Sequence, residues 1–213
     1  MKTTVLLIRH GQSLGNLAER FLGHTDLDLS PLGVRQAELL GEYLKGRPID
    51  AAEASDLIRA YHTATAALRY HGITPKKNAG FREIFAGAWE NMRFDDIAAT
   101  YPDAWSVWRT DIGHACPVNG ESTAALAERV YAAFDDLVTR YAGKTVLVGT
   151  HATPIRLLKC RALGIPVADA ARVPWVPNAS LTEIEFEHGV LTLVRDGEDG
   201  YLGELHSSLP KKA

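Results

Sequence analysis

The chain has 213 residues, 46% of them hydrophobic and 23% charged, with a formal net charge of −3 and two cysteines. That length can bury a sizeable interior, and the near-neutral charge argues against a general nucleic-acid or anionic-membrane binder, though not against a local basic pocket. Cys116 and Cys160 are too few and too far apart for a disulfide framework or a zinc ligand pair, and no window reaches the length of a membrane span or a signal-peptide core. A cytoplasmic chain with reduced thiols is the expectation.

In chain order, Thr4 to Ile8 predicts a strand that is apolar on both faces, as in the middle of a sheet covered by helices. It runs straight into Arg9, His10 and Gly11. Ser30-Pro31 predicts a helix start, with Ser as N-cap and Pro at the first helical position, and the helix continues to about Lys45 before Gly46. Residues 50–54 read as a weak strand. Leu57, Ala60, Tyr61, Ala64, Ala67 and Leu68 then fall at helical spacing ahead of Gly72.

Residues 81–120 carry Trp89, Trp105 and Trp108, two short helical stretches and no clear strand. A stretch this long between regular elements reads as a lid or substrate-facing insertion. Ser122 caps a long amphipathic helix. Thr145 to Val148 is a second apolar strand, ending in Gly149, Thr150 and His151, and Thr153-Pro154 predicts the next helix start by the same capping logic. "SLTEIEFEHGVLTLV" alternates around His188-Gly189, a hairpin pattern. No repeat or linker divides the chain. The expected class is α/β: an open, mostly parallel sheet flanked by helices on both faces, with an antiparallel edge and an aromatic-rich insertion over the site.

Ligands of such sheets bind outside the carboxyl ends of the strands, where both Arg9-His10 and His151 fall. One such histidine alone reads as a capped or solvated loop residue; two at two strand ends read as a site. Gly11 permits close backbone approach, Ser13 and Asn16 offer donors from the following turn, and Arg9 brings a permanent charge shaped for phosphate or carboxylate. Arg59 lies at the start of the helix after the second strand, whose free N–H groups point the same way; a lone arginine there would otherwise be a solvated one. His10, His151 and Glu83 could form a metal set, but two arginines at the same crevice repel a divalent cation and favour an oxyanion. "AGKT" at 142–145 is not a phosphate-binding loop, because Val138 stands where the first glycine belongs and the segment runs from helix into strand. The sequon Asn178-Ala179-Ser180 has no use in the cytoplasm.

On "LLIRHGQSLGN", "GHTDLDLSPLGVRQAELL", "ASDLIRAYHTA", "FREIFAGAWE", "NGES", "VLVGTHATPIR" and "VPNASLTEIEFEHG", in that order, the chain resembles the histidine phosphatase superfamily, the phosphoglycerate mutase-like family, over nearly its whole length. The resemblance implies a single domain over 1–213, with 81–120 as the insertion facing substrate. It implies His10 as the nucleophile that becomes a phosphohistidine, and Arg9, Arg59, His151 and Asn16 as phosphate contacts. Glu83 would protonate the leaving alcohol and then help activate water. Ser13, Gly23, His24 and Ala152 complete the expected substrate-binding set. Ala152, where the family usually has Gly, adds a methyl beside the phosphate; Ala54 and Asn91 replace a small polar residue and a Gly. None removes a catalytic group.

The expected function is a phosphomonoesterase needing neither metal nor cofactor and acting on a small phosphorylated metabolite. The alternative is a bisphosphoglycerate-primed phosphoglycerate mutase, disfavoured by the short chain and by Leu14-Gly15 preceding Asn16, where the mutases carry a tryptophan. A third reading is a silent scaffold that binds phosphorylated ligands. Phe21, Leu22, His24, Phe85, Trp89, Trp105, Trp108, Arg109 and His114 either line the leaving-group side or pack the insertion onto the core. Arg109 or His114 facing the pocket would point to a second anionic group on the substrate. The sequence leaves open the oligomeric state, a homodimer included, and any role for the basic tail "PKKA".

Overall fold

The computed structural model describes residues 1–207; the "PKKA" tail lies outside them. β1 (Thr3–Arg9) leads through the short α1 (Leu14–Leu17) into α2 (Pro31–Leu44), followed by β2 (Ala51–Ala54), α3 (Ile58–Ala67) and β3 (Lys76–Lys77). Then come α4 (Phe94–Thr100), α5 (Pro102–Thr110), α6 (Thr123–Arg140), β4 (Thr145–Thr150), α7 (Ala152–Ala162), β5 (Leu181–Glu187) and β6 (Val190–Glu198). The strands form one sheet in the order β3-β2-β4-β1-β5-β6. The four strands β3, β2, β4 and β1 run parallel, and β5 and β6 close the far edge antiparallel.

Alternation along β1 assigns its two faces. Val5 and Leu7 join a cluster with Val130, Phe134 and Leu137 of α6 and Ile155 and Leu158 of α7. Leu6 and Ile8 join another with Leu40 and Leu44 of α2 and Ala64 and Ala67 of α3. All four β1 residues are fully buried, which is why the strand reads as a continuous apolar run. The insertion adds Trp89, Trp105, Trp108 and Phe94 to the first cluster.

Register then builds the crevice. Arg9 pairs with Thr150, and Ala54 pairs with Gly149, so β1, β2 and β4 end level with one another. The His10 N–H donates to the Thr150 carbonyl at 3.0 Å. His10, Ser55 and His151 each follow one of these ends.

Two features differ from the sequence reading. α7 begins at Ala152 with His151 in the N-cap position, not at Thr153-Pro154. The strand hands over to the helix without a loop, and Pro154 sits in the first turn, where a missing N–H costs nothing. The Thr153 N–H instead points at Glu83 Oε2, 3.3 Å away. β3 was not foreseen: two exposed lysines on a sheet edge carry no periodicity to read.

The turn after β1 lies against the start of α2 with no room for side chains. A Cβ on Gly11 would come within 2.5 Å of the Gly33 carbonyl oxygen, and one on Gly33 would strike the backbone of Gln12. Gly33→Ala is therefore expected to destabilise the fold by about 1–3 kcal/mol, an overpacking cost with only backbone to yield. Urea unfolding measures it; an unchanged midpoint would show that the turn can back away.

Candidate active site

The rest of the site is built outward from His10. It is buried, and its Nδ1 lies 2.7 Å from the Gly11 carbonyl. A carbonyl only accepts, so the neutral ring carries its proton on Nδ1 and leaves the Nε2 lone pair unengaged. Burial, then the positive fields of Arg59 and Arg9, push the imidazole well below its ordinary 6.5. Gly11 is fixed in turn by its N–H donating to Thr63 Oγ1 at 3.0 Å.

Arg9 and Arg59 are each about 1% exposed, and neither forms an ion pair among the described residues. They are held by main-chain oxygens instead. Arg9 donates to the Val176 carbonyl at 2.6 Å, and Arg59 donates to those of Thr25 and Gly23 at 2.9 and 2.8 Å. Burial pushes each guanidinium down to about 10, against the opposing field of Glu83, so both stay charged at neutral pH. Arg9 Nε and His151 Nδ1 are buried without a hydrogen-bond partner among the described residues. A buried polar atom left so costs about 1–3 kcal/mol, which a bound anion would relieve at Arg9.

His151 lies with its ring centroid 5.1 Å from that of His10, at 63°. Its Nε2 meets Ser55 Oγ at 2.9 Å, and it too is held well below 6.5, by burial and then by Arg59. Glu83 is half-buried. Its Oε1 accepts from the Ile84 N–H at 2.8 Å, and its main-chain carbonyl accepts from Arg129 at 3.2 Å. Arg129 also gathers the carbonyls of Ala79, Gly80 and Arg82 and pairs with Glu121, so one side chain fixes the strap that carries Glu83.

These residues open on a cavity of about 560 Å³, its mouth included. Arg9, His10, Ser13, Asn16, Gly23, Arg59, Glu83 and Ala152 line it, as do Phe21, Leu22 and Trp108. Ser13 caps α1, and Asn16 Oδ1 accepts from the Ser13 N–H and from Asn178 Nδ2, which leaves its own amide N–H groups for a ligand. His151 is fully buried beside His10 and is not among the residues that line the cavity. His24 is bonded through Nε2 to the Glu83 carbonyl and is not on the wall either.

Trp89 and Trp105 are core residues, and Phe85, Arg109 and His114 stand away from the cavity. The cavity is also lined by Arg20, Phe94, Thr153 and Trp175, which the sequence does not single out as site residues. Glu90 was also missed. It accepts from the N–H groups of His24, Thr25 and Ala86 and from the Thr25 hydroxyl, and so pins the two carbonyls that hold Arg59. Only "WE" beside Asn91 hinted at it. Asn91 takes φ 60°, the left-handed conformation for which Gly is the usual choice and Asn the next. Among the described residues no cluster of three or more His, Cys, Asp or Glu is placed to hold a metal ion, and no helix is long and apolar enough to cross a membrane.

Comparison with known proteins agrees with this geometry. The family model for the histidine phosphatase superfamily (branch 1) matches residues 5–199. Phosphoserine phosphatase 1 of Hydrogenobacter thermophilus is 28% identical over 205 residues, 95% of each chain. The adenosylcobalamin/alpha-ribazole phosphatase of Escherichia coli is 32% identical over 160 residues, 75% of this chain and 79% of that one. A probable phosphoglycerate mutase, GpmB, of Yersinia pestis is 31% identical over 188 residues, 86% and 85% of the two chains. The solved structure of Bacillus stearothermophilus YhfR superposes with a TM-score of 0.90 at 28% identity, covering 94% of this chain and 99% of that one.

Because both imidazoles are held below 6.5, the unfolded chain binds their protons more readily than the folded one. The stability they contribute is complete above about pH 6.5 and is lost as pH falls through their folded values. Titration of the imidazole C–H resonances should place both midpoints below 6.5 in the free protein. Inorganic phosphate should move them upward by cancelling the arginine field. A midpoint at or above 6.5 without phosphate contradicts this electrostatic account.

Proposed function

The chain belongs to the histidine phosphatase superfamily, and we propose that it hydrolyses small phosphate monoesters through a phosphohistidine formed on His10. The carrying observation is the bond from His10 Nδ1 to the Gly11 carbonyl, which commits the proton to one nitrogen and leaves the other nucleophilic, beside two buried guanidiniums. A neutral imidazole is a competent nucleophile near neutral pH, and a covalent intermediate divides one difficult displacement into two.

In the first step His10 Nε2 attacks phosphorus in line with the ester oxygen. The N–P bond forms as the P–O bond breaks, and the Glu83 carboxylic acid gives its proton to the departing alkoxide. Arg9 and Arg59 neutralise the equatorial oxygens, aided by the Asn16 amide, with the His151 ring packed beside that of His10. Such positioning and charge neutralisation are most of what phosphoryl transfer asks of a protein. In the second step water attacks phosphorus, Glu83 accepts its proton, the N–P bond breaks and inorganic phosphate leaves. No metal enters either step. Segment 81–120 acts as the cover of the site, contributing Glu83, Phe94 and Trp108 to the cavity, and the catalytic unit is the single domain over 1–213. We read the chain as cytoplasmic, with Cys116 and Cys160 as free thiols.

The mutase reading draws on the GpmB relative and shares the first step. Exchange between 2- and 3-phosphoglycerate, stimulated by bisphosphoglycerate and faster than hydrolysis, would favour it.

Turnover of p-nitrophenyl phosphate should persist in EDTA, and acid-labile, base-stable label should accumulate on the wild type but not on His10→Ala. Label on His10→Ala, or loss of turnover in EDTA, would overturn the mechanism. Glu83→Gln should slow an alkyl ester by about 10²–10⁴-fold and p-nitrophenyl phosphate much less, because a good leaving group needs no proton. Equal losses on the two substrates would remove Glu83 from the role of acid.

A further inference from the structure

The geometry points to a leaving-group subsite built for a flat aromatic ring, so that the favoured substrates are phosphate monoesters of alcohols bearing such a ring. This rests on the phosphatase reading for its substrates, but the subsite itself is argued from the cavity wall. Phe21, Phe94, Trp108 and Trp175 line the cavity that holds His10, together with Arg20. Phe21 meets Trp108 edge to face at 4.9 Å and 71°, and Phe94 at 6.4 Å and 88°. Trp108 and Trp175 lie at 30° with centroids 6.2 Å apart. Edge-to-face and offset-parallel arrangements are those that aromatic rings prefer, so a planar ring entering this wall extends a lattice already in place.

The wall is fixed before any ligand arrives. Phe21 is laced to the insertion by its N–H to the Met92 carbonyl and its carbonyl to the Asn91 N–H, at 2.9 and 2.8 Å. Trp175 is held by Arg156, whose guanidinium lies 3.8 Å from the ring centroid and whose Nε donates to the Val173 carbonyl at 2.6 Å. Lys159 donates to the Pro174 carbonyl at 3.1 Å, and Arg9 to that of Val176 at 2.6 Å. Three buried cations thus anchor the four residues from Val173 to Val176. A ring would cover the half-buried Trp175 and the few per cent of Phe21, Phe94 and Trp108 left accessible, beside Arg20 in the same lining.

The test measures binding first. In 2-phenylethylphosphonate, 2-cyclohexylethylphosphonate and propylphosphonate a methylene replaces the ester oxygen of benzyl, cyclohexylmethyl and ethyl phosphate, so none is hydrolysed. Calorimetry on the wild type should give phenylethylphosphonate a Kd on the order of 10- to 100-fold below that of propylphosphonate. It should also be about threefold below that of the cyclohexyl compound. Trp108→Ala should bring the phenyl-to-propyl ratio close to one. Trp175→Leu, at a half-buried position, should narrow it and guards against an alanine variant that fails to fold.

Phenyl and propyl affinities within about threefold in the wild type would overturn the inference, and so would a cyclohexyl compound bound as tightly as the phenyl one. Benzyl and ethyl phosphate have leaving groups of similar basicity, and their kcat/KM values should follow the same order. Selective binding of phenylethylphosphonate with no turnover of any ester would leave the subsite standing and remove the phosphatase reading. Turnover without selectivity would do the reverse.

Discussion

The site depends on two buried guanidiniums to neither of which, among the described residues, a carboxylate is bonded. Arg9 and Arg59 are taken almost completely out of water and given main-chain oxygens for company. Carbonyl dipoles offset part of the desolvation cost but cancel no charge. Burial first, and then the positive field that results, keeps His10 and His151 unprotonated, and the same field prepares the crevice for a dianion. A carboxylate bonded to each arginine would have made a more stable protein and a poorer anion site. Glu83, the acid in the cavity wall, directs its carboxylate to the N–H groups of Ile84 and Thr153 instead.

Main-chain carbonyls hold an arginine only as firmly as the loops that carry them. Much of the surrounding structure serves that end. Glu90 gathers the N–H groups around Thr25, so the oxygens facing Arg59 keep their place. Arg156 and Lys159 do the same for the strand-like run that ends at Val176. Arg129, with four carbonyls in its grasp, fixes the strap bearing Glu83. Each support is a charged side chain from one element stabilising the backbone of another, and such side chains lie outside the crevice they determine.

That arrangement explains what a reader of the sequence can and cannot see. The strand beneath His10 was legible because burial on both faces leaves an unbroken apolar run, and the α2 start because Ser30 caps it with Pro31 behind. Arg9, His10, Arg59 and Glu83 were legible through the resemblance of their blocks, and their convergence follows from level strand ends. The start of α7 was misread because Thr153-Pro154 has the form of a cap, while the real boundary is set by β4 running directly into the helix. Glu90, Arg20 and Trp175 were missed for a common reason. Their importance comes from contacts across large sequence separations, and nothing in the local pattern distinguishes a glutamate that pins a distant loop from one that faces solvent. The tryptophans show the same limit: one aromatic-rich segment sends Trp89 and Trp105 into the core and Trp108 to the cavity.

The bond from Arg9 to the Val176 carbonyl has a bearing on how such a site can change over generations. The residue next to Val176 is Trp175, which lines the same cavity as His10. One short run of backbone therefore presents a cavity-lining side chain and, one peptide further on, anchors a buried arginine of the same cavity. A side-chain exchange at position 175 alters the shape of the wall while the anchoring oxygen stays put. An insertion or deletion in the same run would shift that oxygen and loosen Arg9 with it. New substrate preferences are thus open to point substitution here but closed to loop remodelling, and lineages sharing this bond should diversify by changing residues at constant segment length.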